Sequence, residues 1–181
     1  MAVLERIDKI DVPATDTNAT RSKNNYLRGL ISTMTLASIR LGRAAQAESL
    51  ARRLAAIPPD NNNWRGETEQ QAARIATVLA QAVFMQGRAE EARGILQPAL
   101  AYDSEQFKAG ASNTTFRRDY AHALYVSALT QPTDGEGRAK READLTEAAK
   151  VIGGASAEAQ KLSLLREVAD WIATARASSR T

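Results

Sequence analysis

Apolar positions recur every three or four residues along most of the chain, in segments long enough to form helices. Leu27, Leu30, Ile31, Met34 and Leu41 mark a first long helix from Tyr26, and Ala44 to Ile57 marks its partner, stopped by Pro58-Pro59. The stretch Arg74 to Tyr102 has the clearest pattern, two helices meeting at Gln86-Gly87-Arg88. Small Ala80, Ala92 and Ala99 let these helices approach closely, and Leu79, Val83, Ile95, Leu96 and Leu100 fill the space between them. An antiparallel helix pair is the expectation. A third pair begins at Thr114, with Ser112 or Asn113 as N-cap, and buries Phe116, Tyr120, Ala123, Leu124, Ser127 and Ala128. Its second helix, about Arg138 to Ile152, follows a longer turn and ends at Gly153-Gly154, a pair suited to a left-handed C-cap. Ser156 then caps a final helix carrying Leu162, Leu165, Val168, Ala169 and Ile172, with Trp171 beside them.

The N-terminal part reads differently. Leu4, Ile7 and Ile10 suggest a short amphipathic helix, whereas Asp11 to Asn25 is polar and rich in Asp, Asn and Thr, which favour turns and caps. Residues 1–25 are therefore expected to be a short helix plus polar linker, and 26–181 a single helical domain. Thr68 and Gln71 have capping-box spacing before the apolar series from Ile75, with Trp64 as a structural plug just outside it. Pro98 would disturb its helix near Gly94, four residues back, and kink it.

The first two pairs are copies of each other. Leu41-Gly42-Arg43 falls in register with Gln86-Gly87-Arg88, and at the same offset of 45 residues Ala47 matches Ala92, Leu50 matches Ile95 and Met34 matches Leu79. Repeats of this length mean stacked helical pairs sharing one core. The series Ala80, Gly87, Ala92, Ala99, with Pro59 ending the earlier copy, resembles a tetratricopeptide repeat over residues 74–102 and, more weakly, 27–59. The aromatics common in that family are replaced by Ala76 and Leu96, and the spacing exceeds the usual figure of about 34 residues. The resemblance implies an all-α fold, a right-handed stack of about three antiparallel helix pairs. The unpaired last helix is expected to cap it.

Composition narrows the chemistry. A chain of 181 residues can bury roughly 70% of the surface its unfolded form exposes. The absence of cysteine removes disulfides, thiol nucleophiles and Cys-ligated metals. The net charge of +3 is spread over alternating signs, which argues against nucleic acid as a partner. Arg52-Arg53 and Arg117-Arg118 are the densest basic pairs and read as solvated surface. No apolar run is long enough to span a membrane, and the opening MAVLERIDKID does not resemble a secretory signal, so a cytoplasmic location is expected. The excess of arginine over lysine and the abundance of alanine suggest a bacterial source.

Catalytic constellations are missing. The single histidine, His122, lies within a helix, with Asp119 three residues earlier and close enough for a hydrogen-bonded pair. Neither phosphate-binding glycine pattern occurs, and Glu90-Glu91 at a helix start complement the helix dipole. No enzyme activity, cofactor or metal is expected.

The resemblance to tetratricopeptide repeats implies a non-enzymatic module that binds a peptide or protein segment in a groove lined by the first helix of each pair. It carries Ser32, Leu36, Ile39 and Arg40, then Arg74, Thr77, Gln81 and Phe84, then Asp119, His122 and Val126 onto the inner surface. The alternative is a regulatory or sensory region of a larger bacterial transcription regulator or protein kinase, since such arrays are often joined to them. Leu36, Ile39 and Phe84 would equally suit a homodimer surface.

Overall fold

The computed structural model describes residues 2–13, 15–58 and 65–178. Among them are nine helices and no strand: α1 (Ala2–Asp8), α2 (Thr17–Arg40), α3 (Ala44–Ala55), α4 (Arg65–Phe84), α5 (Ala89–Ala109), α6 (Thr114–Thr130), α7 (Gly135–Gly153), α8 (Ala157–Gln160) and α9 (Ser163–Ser178). The chain is all-α. Helices pack as α2 on α3, α4 on α5 and α6 on α7, and each first helix also leans on the pair before it. Thus α4 touches both α3 and α2, and α6 touches both α5 and α4. α9 packs on α7 and α6 in the same manner, so it occupies the place of one more first helix.

Two equivalent turns impose this arrangement. Gly42 and Gly87 have φ of 69° and 80°, a left-handed backbone that glycine adopts without penalty. In the first turn Arg43 N donates to Ser38 O at 2.8 Å, and in the second Arg88 N donates to Val83 O at 3.4 Å. Each turn thereby closes onto the last helical residues and reverses the chain. The third connection uses different chemistry. Asp134 caps α7 by accepting from Gly137 N, and a Cβ on Gly137 would lie 2.4 Å from Pro132 O, so only glycine fits there.

Alanine makes the close packing possible. Ala47, Ala80, Ala82, Ala92, Ala121, Ala123 and Ala148 are fully buried, and larger side chains such as Ile31, Val83, Leu96, Leu145 and Leu165 interdigitate around them. Tyr125 and Leu100 touch both of the clusters that flank α6, which joins their apolar interiors. Polar contacts tie neighbouring pairs together at the surface. Glu48 on α3 accepts from Arg88 Nη1 and from Gln86 Nε2, both at 2.7 Å, across the following turn. Arg52 also donates to it, at 2.7 Å from Nη2, and the bonds from Arg88 first, Arg52 next and then Gln86 hold its carboxyl down at about 2.

The structure departs from the sequence reading at several ends. α2 begins at Thr17, well before Tyr26, so most of the expected linker is helix. Asp16 caps it by accepting from Ala19 N at 2.9 Å, and Lys23 reaches back to the carbonyls of Asp8 and Ile10. The polar side chains there form a helix surface, and Asn and Thr are tolerated on it because tertiary contacts outweigh their weak propensity. Thr68 lies inside α4, which starts at Arg65, so it makes no capping box; Trp64 and Pro59 lie outside the described residues. α5 continues through Pro98 to Ala109 and caps at Gly110. Gly154 has φ −79°, so α7 ends without a left-handed cap. Ser156 caps only the short α8, and a break leaves Leu162 53% exposed before α9 begins. Asn113 does cap α6, accepting from Thr115 N at 2.9 Å.

Arg117 was expected on a solvated face and is buried instead. Its Nη1 donates to Val151 O, its Nη2 donates to Ala111 O at 2.6 Å, and its guanidinium lies 5.4 Å from the centre of the Phe107 ring. Val151 lies in the last turn of α7, where carbonyls have no helical partner, and a buried arginine supplies one. Arg93 does the same at the end of α6, donating to Thr130 O at 2.5 Å.

Candidate functional site

The packing of α2, α4, α6 and α9 leaves a cavity of about 220 Å³ between their facing sides. Positions 45 residues apart in the sequence meet here. Ser32, Thr77 and His122 hold the same position in successive first helices, and all three line the cavity. Arg74 and Asp119 hold another shared position and also line it, as does Leu36. Side chains from α3 and α5 reach through between the first helices, with Leu54 and Ala51 on one side and Asp103 on the other. α9 closes the remaining side with Glu167, Val168 and Trp171.

Asp119 organises the polar wall. Its Oδ2 accepts from Arg74 Nε at 2.7 Å and Gln70 Nε2 at 3.3 Å, and its Oδ1 accepts from Arg118 Nε at 2.8 Å and from Arg118 Nη2. These four donors occupy the carboxylate's ordinary capacity, which is how a charge only 5% exposed is sustained. The pair that the spacing of Asp119 and His122 allows does not form. His122 Nε2 instead meets Gln81 Oε1 at 2.9 Å, and since an amide oxygen only accepts, Nε2 carries the ring proton. The Trp171 ring lies 5.3 Å from the imidazole and 5.8 Å from Tyr125. Enclosure pushes the imidazole down to about 4, overcoming the opposite pull of Asp119.

Asp103 has the opposite problem. It is 2% exposed, its Oδ2 has no hydrogen-bond partner, and burial together with the charge of Asp119 raises its carboxyl to about 7. Arg74 and Arg118 only partly offset this. Thr77, also 2% exposed, has a hydroxyl with no partner.

The remaining residues expected in the groove do not line this cavity. Arg40 is bound through Nε and, at 2.5 Å from Oε2, through Nη2 to Glu167 of α9, which does line it. Gln81 is buried behind the wall, where it holds His122 in place. Phe84 packs against the cluster around Ala80 and Val83, Ile39 is buried with Ala47 and Ala82, and Val126 is fully enclosed. The sequence reading did not assign Asp103, Arg118 or Glu167 to a site. Asp103 comes from a second helix, and Glu167 from a helix read only as a cap, so repeat logic applied to first helices misses both. Among the described residues no cluster of three or more His, Cys, Asp or Glu side chains could hold a metal ion. No helix among them is long and apolar enough to cross a membrane.

The chain matches no family model, no curated protein sequence and no solved structure.

Proposed function

We propose that this chain is a non-enzymatic interaction module of tetratricopeptide-like architecture, a right-handed stack of helix pairs that binds a peptide or protein segment along its first helices. The observation that carries this reading is the convergence of equivalent positions, 32, 77 and 122, on one recess with both charged and apolar walls. An extended segment needs such mixed contacts, apolar anchors for affinity and polar groups for register. The state of His122 supports the non-enzymatic part. Its basicity is depressed to about 4 by enclosure, so it has little tendency to take up a proton near neutrality as a general base must.

Ser32 offers a clean test, because it is exposed, lines the recess and makes no hydrogen bond through its side chain among the described residues. Peptides selected from a random display library on the native chain should bind Ser32→Trp at least tenfold more weakly, with unchanged thermal stability. Equal affinity for both chains would remove the groove from the reading. Arg74 and Gln81 are unsuitable for this purpose, since each holds a buried partner whose loss would perturb the fold.

A further inference from the structure

The cavity has a charge pattern that selects its own occupant. A cationic ligand would need a carboxylate with open acceptor sites. Asp119 already accepts four hydrogen bonds, and Glu167 is held by Arg40 through both of its oxygens. Only Asp103 remains, its Oδ2 without a partner, and burial first and the charge of Asp119 next favour its neutral form against the pull of Arg74 and Arg118. Donors, by contrast, are left over. Neither Nη of Arg74, nor Nη1 of Arg118, donates to a protein acceptor among the described residues, although both side chains line the cavity. The Thr77 hydroxyl adds another donor with no partner in the fold. A buried, unmatched hydroxyl is costly, and a bound acceptor would satisfy it.

Leu36, Leu54, Ile75, Val78, Val168 and Trp171 give the wall a large apolar part beside Ser32, Thr35 and His122. With Arg40 and Glu167 neutralising each other, Arg74 and Arg118 outnumber Asp119 by a single charge whenever Asp103 holds its proton. That balance fits a monoanion and not a phosphate dianion. The volume of about 220 Å³ is below the about 300–1,000 Å³ typical of pockets for drug-sized molecules.

We propose that this cavity is a binding site for a small monocarboxylic acid with an apolar or aromatic body, its carboxylate received by Arg74, Arg118 and Thr77 and its body lying against Trp171 and the aliphatic wall. Such a ligand would bridge α4 and α6 to α9, and so stabilise the closed end of the stack. The site shares its recess with the proposed peptide groove, since Ser32 and Thr77 both line it, but it does not depend on that reading. Acid binding without peptide binding, or the reverse, separates the two.

The test uses the full chain and three molecules of nearly equal shape, phenylacetate, phenylacetamide and phenethylamine, with 4-methylpentanoate as an aliphatic acid. Isothermal titration calorimetry and thermal melting should show binding of at least one of the two acids, with the amide at least tenfold weaker and no melting shift from the amine. Thr77→Val breaks no hydrogen bond of the fold and nearly conserves shape, so it should melt like the native chain and bind the acid about five- to tenfold more weakly. Failure of both acids to bind overturns the proposal, as does an amine that binds as tightly as the acid. Unchanged acid affinity in Thr77→Val also overturns it, because the acid then sits elsewhere. Acetyl-Ala-Phe, which offers a peptide carboxyl terminus, should bind more weakly than phenylacetate; the reverse order overturns a small free acid in favour of a chain end.

Discussion

Replacing Asp103 by Asn isolates the strongest electrostatic conflict in the molecule. The two side chains have almost the same shape, but only the carboxyl can ionise. In the unfolded chain Asp103 titrates near 3.8, whereas in the folded chain burial and Asp119 hold it at about 7. The folded state therefore keeps a proton that the unfolded state releases. Its contribution to stability is fully present below 3.8 and is lost progressively as pH rises through 7. At about 1.4 kcal/mol for each pH unit, the loss in the native chain approaches about 4 kcal/mol at pH 8. Asp103→Asn suffers no such loss. Urea unfolding at intervals from pH 4 to pH 8 should show the two chains nearly equal at pH 4, with Asp103→Asn more stable by about 4 kcal/mol at pH 8. The charging of His122 at low pH cancels in this difference, because the groups that shift it are Asp119, Arg118 and Glu167 and not Asp103. A difference that stays constant within about 1 kcal/mol between pH 5 and 8, or a less stable variant at pH 8, would refute the reasoning.

His122 should remain neutral in the folded chain down to about pH 5, with its proton on Nε2, as read from imidazole nitrogen shifts by NMR; an imidazolium at pH 5.5 would contradict the enclosure by Trp171. Since its folded value is depressed to about 4 from 6.5, its contribution to stability falls as pH drops from 6.5 to 4, opposite in sign to that of Asp103. Gly42→Ala and Gly87→Ala should each cost about 1–2 kcal/mol in chemical denaturation, because each imposes a side chain on a left-handed backbone. Gly94→Ala, in a helix interior with no atom within 4 Å of the new methyl, should instead gain up to about 1 kcal/mol. Arg117→Met should cost about 2–4 kcal/mol, since the aliphatic stem is kept but the carbonyls of Val151 and Ala111 lose their donors; a loss below about 0.5 kcal/mol would show those carbonyls to be satisfied otherwise.

The helical character of the chain and the pairing of its helices were legible in the sequence because they rest on local periodicity. Apolar spacing located α3, α5 and α6 closely, the N-cap role of Asn113 followed from its side chain, and the shared register of Gly42 and Gly87 marked two turns with the same left-handed backbone. That register also brought Ser32, Arg74, Thr77, Asp119 and His122 to a common face, since equivalent positions in stacked helices face the same way. Only the tertiary structure decided which partners these groups take. Asp119 and His122 are close in sequence but bind Arg74 and Gln81 from α4, because stacking places those side chains nearer than the helix's own turn does. The polar start of α2 is helical because it packs on α1 and is capped by Asp16, contacts that propensity does not contain. Asp103 and Thr77 look unremarkable in the sequence. Their unmatched polar atoms exist only because helices from different pairs close over them, and burial is a property of the assembled stack and not of any one segment.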